Sequence, residues 1–155
     1  MTEPTLPALY LASTSTYRRQ LLAKLTPQFH TAKPDVDETP LANESAEQLV
    51  RRLAVAKAQA VAAGLSSGLV IGSDQVALFG NEILGKPHTV DNAFHQLTSF
   101  SGHKVTFLTG LAVVNANTGQ VEHCVEAFYV HFRQLSAQDI HTYISREQPL
   151  NCAGS

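Results

Sequence analysis

The sequence predicts an α/β fold built on a mixed, twisted sheet flanked by helices, and three features carry that expectation. Residues at helical spacing, such as Leu49, Leu53, Ala56, Ala60 and Ala63, alternate along the chain with short apolar runs of strand length. Two long strand patterns, VTFLTGLAVVNA and VEAFYVHFR, flank Asn117-Thr118-Gly119, a hairpin signal. Helices interleaved with paired long strands imply a sheet with both parallel and antiparallel neighbours.

Taken in order, ALYLA at 8–12 reads as a short buried strand, and Ser13 or Ser15 can cap a helix over roughly 16–25, where Leu21, Leu22 and Leu25 have helical spacing. Beyond Pro27, QFHTAK alternates weakly as a second strand, and Pro34 opens the acidic loop PDVDETP. Ser45 with Gln48 matches a capping box, starting a helix that Gly64 ends. LVIGSDQVALF at 69–79 is rich in strand formers but interrupted by Gly72-Ser73-Asp74, and FGNE turns it into a short return strand, EIL. Thr89 begins a helix through Phe100, which Gly102 stops. In VEAFYVHFR the period of two sets Phe128, Val130 and Phe132 on one face and Tyr129, His131 and Arg133 on the other. Ser136 with Asp139 opens a last helix to about Glu147. There are no repeats, low-complexity tracts or linkers, so residues 1–155 are expected to form one domain.

Composition narrows the function. A chain of 155 residues that is 44% hydrophobic and 15% charged has enough apolar material for a core and too little charge for disorder. Eleven basic against 13 acidic residues give a formal charge of -2, so no global field recruits a nucleic-acid polymer or an acidic membrane, and any anion must be bound locally. No apolar run approaches the roughly eighteen residues of a membrane span. Two cysteines, Cys124 and Cys152, lie far apart with no C-x-x-C pair, which fits reduced thiols in a cytoplasm. The expected protein is soluble and cytoplasmic.

The scarce charges are concentrated where chemistry can use them. In ASTSTYRRQLL a strand feeds a serine-rich turn into a helix N-terminus, whose unpaired N–H groups and positive dipole end suit phosphate. Ser13 and Ser15 add hydroxyl donors, and Arg18 can reach back over the same anion. The competing reading is that the serines only cap and the arginines are solvated. Asp35, Asp37 and Glu38 could shape a turn, or supply oxygens to a hard cation such as Mg²⁺. Asp74 follows Val70-Ile71-Gly72, and burying an unpaired carboxylate costs several kcal/mol, so it calls for a metal, a cation or a proton to transfer. Lys86 in LGKP is held between glycine and proline. Lys57 interrupts an alanine-rich helix, where snorkelling to water is the default. Two carboxylate centres and several cations on different elements form the inventory of metal-assisted phosphoryl chemistry. The seven histidines show no zinc spacing, and P-loop, Rossmann and G-x-S-x-G motifs do not occur.

These motifs resemble the Maf family of nucleotide pyrophosphatases, also described as septum-formation inhibitor-like proteins. LASTSTYRRQLL is similar to the family's S-x-S-x-x-R opening, and VDETP, RLAVAKA, IGSDQVA, ILGKP and FLTGLAV follow in the family's order across nearly the whole chain. TSTYRR, IGSDQV, VHFRQLS and PLNCAGS look most like the branch that acts on 7-methyl-GTP, rather than the one preferring dTTP and UTP.

The resemblance implies two lobes around a nucleotide cleft and hydrolysis between the α and β phosphates, giving the monophosphate and pyrophosphate with a divalent cation, Mg²⁺ or Mn²⁺. Asp74 then matches the proton acceptor and Glu38 its metal or water partner, so both are candidate catalytic and metal-binding residues. Ser13, Arg18, Lys57 and Lys86 match phosphate-holding positions, Ser15 stays a candidate substrate-binding residue through its hydroxyl in the same turn, and Tyr17 and Gln75 match positions that choose the base. An aromatic face suits 7-methylguanine, which carries positive charge. Family chains continue past C-A-G-S with a segment bearing a lysine, an acid and glycines beside the base, so a longer native protein is expected. The rival expectations are a noncatalytic nucleotide-binding regulator of division and septum formation, and a dTTP or UTP pyrophosphatase. An exposed sheet edge makes a homodimer reasonable.

Overall fold

Ten elements follow one another in the computed structural model, which describes residues 7–80, 82–84 and 87–147. They are β1 (Leu9–Ala12), α1 (Thr16–Ala23), β2 (His30–Ala32), α2 (Ala46–Ala62), β3 (Leu69–Phe79), β4 (Glu82–Leu84), α3 (Val90–Phe100), β5 (Lys104–Asn115), β6 (Val121–His131) and α4 (Ala137–Glu147). The strands form one sheet in the order β2-β1-β3-β5-β6, with β4 beside β3. Because β1 pairs parallel with both β2 and β3 while β4 pairs antiparallel with β3, the sheet is mixed, as the sequence predicts. No helix among the described residues is long and apolar enough to cross a membrane.

Local chemistry sets the boundaries. Ser45 Oγ accepts the Gln48 N–H at 3.1 Å and Gln48 Oε1 accepts the Ser45 N–H at 3.0 Å, so both arms of the capping box at α2 are made. Ser136 and Asp139 do the same for α4, each bond being 3.0 Å. Thr89 caps α3 through the Asn92 N–H. Helix α1 ends at Ala23 rather than near Leu25, because Lys24 and Leu25 turn their N–H groups to the carbonyls three residues back. In the β5–β6 turn Gly119, at φ 78°, adopts the left-handed conformation and donates to Asn115 O. Strand β6 begins at Val121, four residues before VEAFYVHFR, and ends at His131.

The chain folds into two compact units and passes between them within β3, β5 and β6. Residues 1–74 and 109–125 form the first, cored by Ala12, Ala54, Ala58, Ala62, Val70, Ala112 and Val114. Residues 75–108 and 126–155 form the second, where Phe100 is fully buried with Phe79 and Phe132 against it, at ring-centre separations of 5.6 and 5.4 Å.

The small residues in the first core let α2 lie close on the sheet. A Cβ on Gly72 would collide with Ala54 O and stand 2.8 Å from Ala58 N, and one on Gly110 would collide with Val50 O. This explains the glycine inside the β3 run: it is the groove for α2. The buried stripe of α2 is therefore Ala46, Leu49, Val50, Leu53, Ala54, Lys57, Ala58 and Ala62. It is rotated from the stripe that periodicity indicates, with Ala60 and Ala63 exposed. Gly72→Ala is expected to lower stability by about 3 kcal/mol, because backbone rather than a flexible side chain must give way. Gly64→Ala, whose Cβ would meet nothing nearer than 3.7 Å, is the control and should leave the urea midpoint nearly unchanged.

Candidate active site

Because β1, β2 and β3 run parallel, the chain leaves β1 and β2 at the same end of the first unit's sheet, the side on which open α/β sheets bind ligands, while β3 continues past it. The turn after β1 carries Ser13 and Ser15, and the loop after β2 carries Glu38. Asp74 lies three residues beyond Ile71, the β3 ladder partner of Leu11.

The serine turn is locally self-organised. Ser13, itself buried, accepts the Ser15 N–H on its Oγ at 3.0 Å, and Ser15 Oγ accepts the Arg18 N–H at 3.2 Å. Both hydroxyls thus shape the turn as acceptors, as the capping interpretation requires, and each keeps its own O–H to donate. No acidic residue occupies the first turn of α1, so the helix does not neutralise its own positive end. The Arg18 side chain makes no hydrogen bond or ion pair among the described residues, yet its charge acts on Asp74. Tyr17, one position earlier, is 64% exposed.

Lys57 organises the centre of the site. It is buried on α2, and its Nζ lies 2.7 Å from Glu38 Oε1, 3.0 Å from Asp74 Oδ1 and 3.5 Å from Ser73 O. The snorkelling expectation therefore fails: the close approach at Gly72 brings Lys57 over β3, where two carboxylates offset its desolvation. Asp74 is also buried. Burial raises its proton affinity, the Lys57 charge and hydrogen bond oppose this, Glu38 reinforces it and Arg18 opposes it; the net result is a raised pKa. Among the described residues Asp74 accepts its side-chain hydrogen bond, from Lys57, on Oδ1. Such a carboxylate, wanting a proton more than an ordinary aspartate, is suited to general-base work.

Glu38 reaches Lys57 from a loop that has its own supports. Asp37 Oδ1 accepts from Thr39 twice, from its N–H at 3.0 Å and its hydroxyl at 2.6 Å, which holds the Asp37 carboxyl below the usual range. Arg52 on α2 forks onto Glu44 and also donates to Thr39 O. Arg52 and Glu44 escaped the sequence-based set of site residues; the only signal was a pair of arginines in a helix otherwise rich in alanine.

Ser13, Ser15, Arg18, Glu38, Lys57 and Asp74 thus all belong to the first unit, and Lys57 joins Glu38 to Asp74 directly. Gln75 follows Asp74 on β3 and, by strand alternation, faces the other side of the sheet. Lys86 lies outside the described residues. Among the described residues no three His, Cys, Asp or Glu side chains gather as a metal cluster.

Comparison with known proteins identifies relatives of this chain. Residues 8–155 match the Maf-like protein family. The chain is 54% identical over 147 residues to a protein of Colwellia psychrerythraea named 7-methyl-GTP pyrophosphatase, covering 95% of this chain and 74% of that one. A protein of the same name from Pseudomonas aeruginosa is 51% identical over 150 residues, covering 97% and 78%. The structure of the Staphylococcus aureus Ham1 protein is similar in fold, with a TM-score of 0.55 at 16% identity over 80% of this chain and 71% of that one.

Proposed function

The chain belongs to the Maf-like protein family, and from that membership we propose that it hydrolyses a nucleoside triphosphate between the α and β phosphates, with 7-methyl-GTP as substrate. The relatives named for that activity support the substrate, and the observation that carries the chemistry is the buried Lys57 shared by Glu38 and Asp74 beside the Ser13–Arg18 turn.

In this mechanism the Ser13 and Ser15 hydroxyls and the open end of α1 receive phosphate oxygens, with the Arg18 guanidinium over them. Lys86, carried over from the family motif, adds a further cation for the leaving group. Asp74, through Oδ2, takes the proton of a water as that water's oxygen attacks the α phosphorus; the bond from this phosphorus to the bridging oxygen breaks, and pyrophosphate leaves with the electron pair. Lys57 orients Asp74 and limits the repulsion between the two carboxylates and an incoming polyanion. Tyr17 offers an exposed ring to the cationic base, worth about 0.5–1 kcal/mol at such a site, and Gln75 is the second candidate for base choice.

The donor set also fits a divalent cation. Glu38 and Asp74 each bring a carboxylate to the Lys57 ammonium, and Mg²⁺ or Mn²⁺ takes one or two carboxylates together with substrate phosphates. Bound there by Glu38 and Asp74, it would supply charge neutralisation at the phosphates.

Pyrophosphate release from 7-methyl-GTP, GTP, dTTP and UTP, each with Mg²⁺ or Mn²⁺, tests the assignment. The highest kcat/KM is expected for 7-methyl-GTP. Preference for dTTP or UTP would move the chain to the pyrimidine branch, and nucleotide binding without release from any of the four would identify a noncatalytic binder.

A further inference from the structure

We infer that Arg52 is a positioning residue that clamps the loop between β2 and α2 so that Glu38 is held against Lys57. The inference rests on the role proposed above for Glu38 and concerns what puts that carboxylate in place. Residues 33–45 contain no helix or strand, and the Glu38 side chain is 55% exposed, so neither a ladder nor core packing fixes it. A side chain on such a loop loses considerable freedom when it is held 2.7 Å from the Lys57 ammonium.

The fixed points come from α2. Arg52 Nε donates to Glu44 Oε2 at 2.6 Å and its Nη2 to Glu44 Oε1 at 3.0 Å, while Nη2 also donates to Thr39 O at 3.2 Å. Glu44 Oε1 accepts the Leu41 N–H at 3.1 Å, and the Glu44 side chain is only 7% exposed. One guanidinium therefore ties residues 39, 41 and 44 to the helix that carries Lys57. Asp37 closes the turn on Thr39 from the other side, leaving Glu38 between two secured neighbours. The fork is essential: three acceptor atoms on two residues match a planar guanidinium, and a lysine ammonium cannot span them.

Two measurements on the full chain test this, one independent of catalysis. In Arg52→Met, amide exchange at Thr39 and Leu41 is expected to accelerate by roughly tenfold or more while the centre of α2 stays protected. In the same variant kcat should fall about 10- to 100-fold with KM changed far less. In a Glu38→Gln background the substitution should cost little more, because Arg52 acts through Glu38. Arg52→Lys should not restore kcat, and Glu44→Gln, which keeps the size of the side chain but removes the charge and one of the two oxygens that Arg52 forks onto, should also accelerate exchange at Thr39 and Leu41 if Arg52→Met folds poorly. Unchanged exchange at Thr39 and Leu41, or a kcat loss that adds fully to that of Glu38→Gln, would overturn the clamp. If the unaltered chain releases no pyrophosphate, the functional assignment fails by itself, and the exchange measurement still decides whether Arg52 holds the loop.

Discussion

Asp74→Asn is expected to lower kcat by roughly a thousandfold, within the range that a positioned base supplies, while leaving nucleotide affinity nearly intact. The substitution preserves shape and an acceptor oxygen for Lys57 but removes the ability to take a proton. The pH dependence gives a second signature. Burial raises the pKa of Asp74 above the ordinary aspartate value of 3.8, and only its ionised form can act as base. Turnover of the unaltered chain should therefore fall on acidification at a higher pH than an exposed aspartate would give, and the residual activity of Asp74→Asn should lack that limb. Retention of activity within a few fold, with the acid limb intact, would remove Asp74 from its role.

Lys57→Met carries a large expected cost in stability that depends on pH. Lys57 Nζ is the shared partner of Glu38 and Asp74, and its side chain and that of Asp74 are only 9% and 12% exposed. Replacing it with an apolar chain of similar length preserves most packing but leaves Asp74 buried without its cation, at a cost of about 3 kcal/mol near neutral pH. The sign with pH follows from the same observation. Without Lys57 the folded-state pKa of Asp74 rises further above its unfolded value, so the folded form gains stability from the protonated acid. That gain is fully present below the unfolded value and is lost as pH rises through the folded one. The deficit of Lys57→Met should accordingly shrink on acidification, as urea midpoints at several pH values would reveal. Adding Asp74→Asn should recover much of the loss at neutral pH. A deficit that is independent of pH and unrelieved by the second substitution would mean that only the methylene chain of Lys57 matters.

The sequence displayed the elements more clearly than it displayed their contacts. Caps at Ser45, Thr89 and Ser136 and the turn at Gly119 depend on residues within a few positions of one another, so local spacing is enough to find them. The burial of Lys57 is a tertiary fact. Periodicity along α2 cannot register that Gly72 and Gly110, on two different strands, admit the helix close enough to turn position 57 inward. Once that approach is known, the glycine and the acid of IGSDQV explain each other: one makes room for α2 and the other receives the lysine that α2 brings. Arg52 was hidden for a similar reason. Its partners Thr39 and Glu44 lie in a loop without periodicity, and an arginine on a helix face ordinarily indicates only a solvated surface. Asp74 stood out because a carboxylate in an apolar strand is costly wherever the rest of the chain goes.

Attack of a base-activated water on the α phosphorus can be seen by hydrolysing 7-methyl-GTP in ¹⁸O-labelled water with a divalent cation and locating the label by mass spectrometry. One labelled oxygen is expected in 7-methyl-GMP and none in pyrophosphate. Label in pyrophosphate, or cleavage that releases single phosphate ions, would contradict attack at that phosphorus.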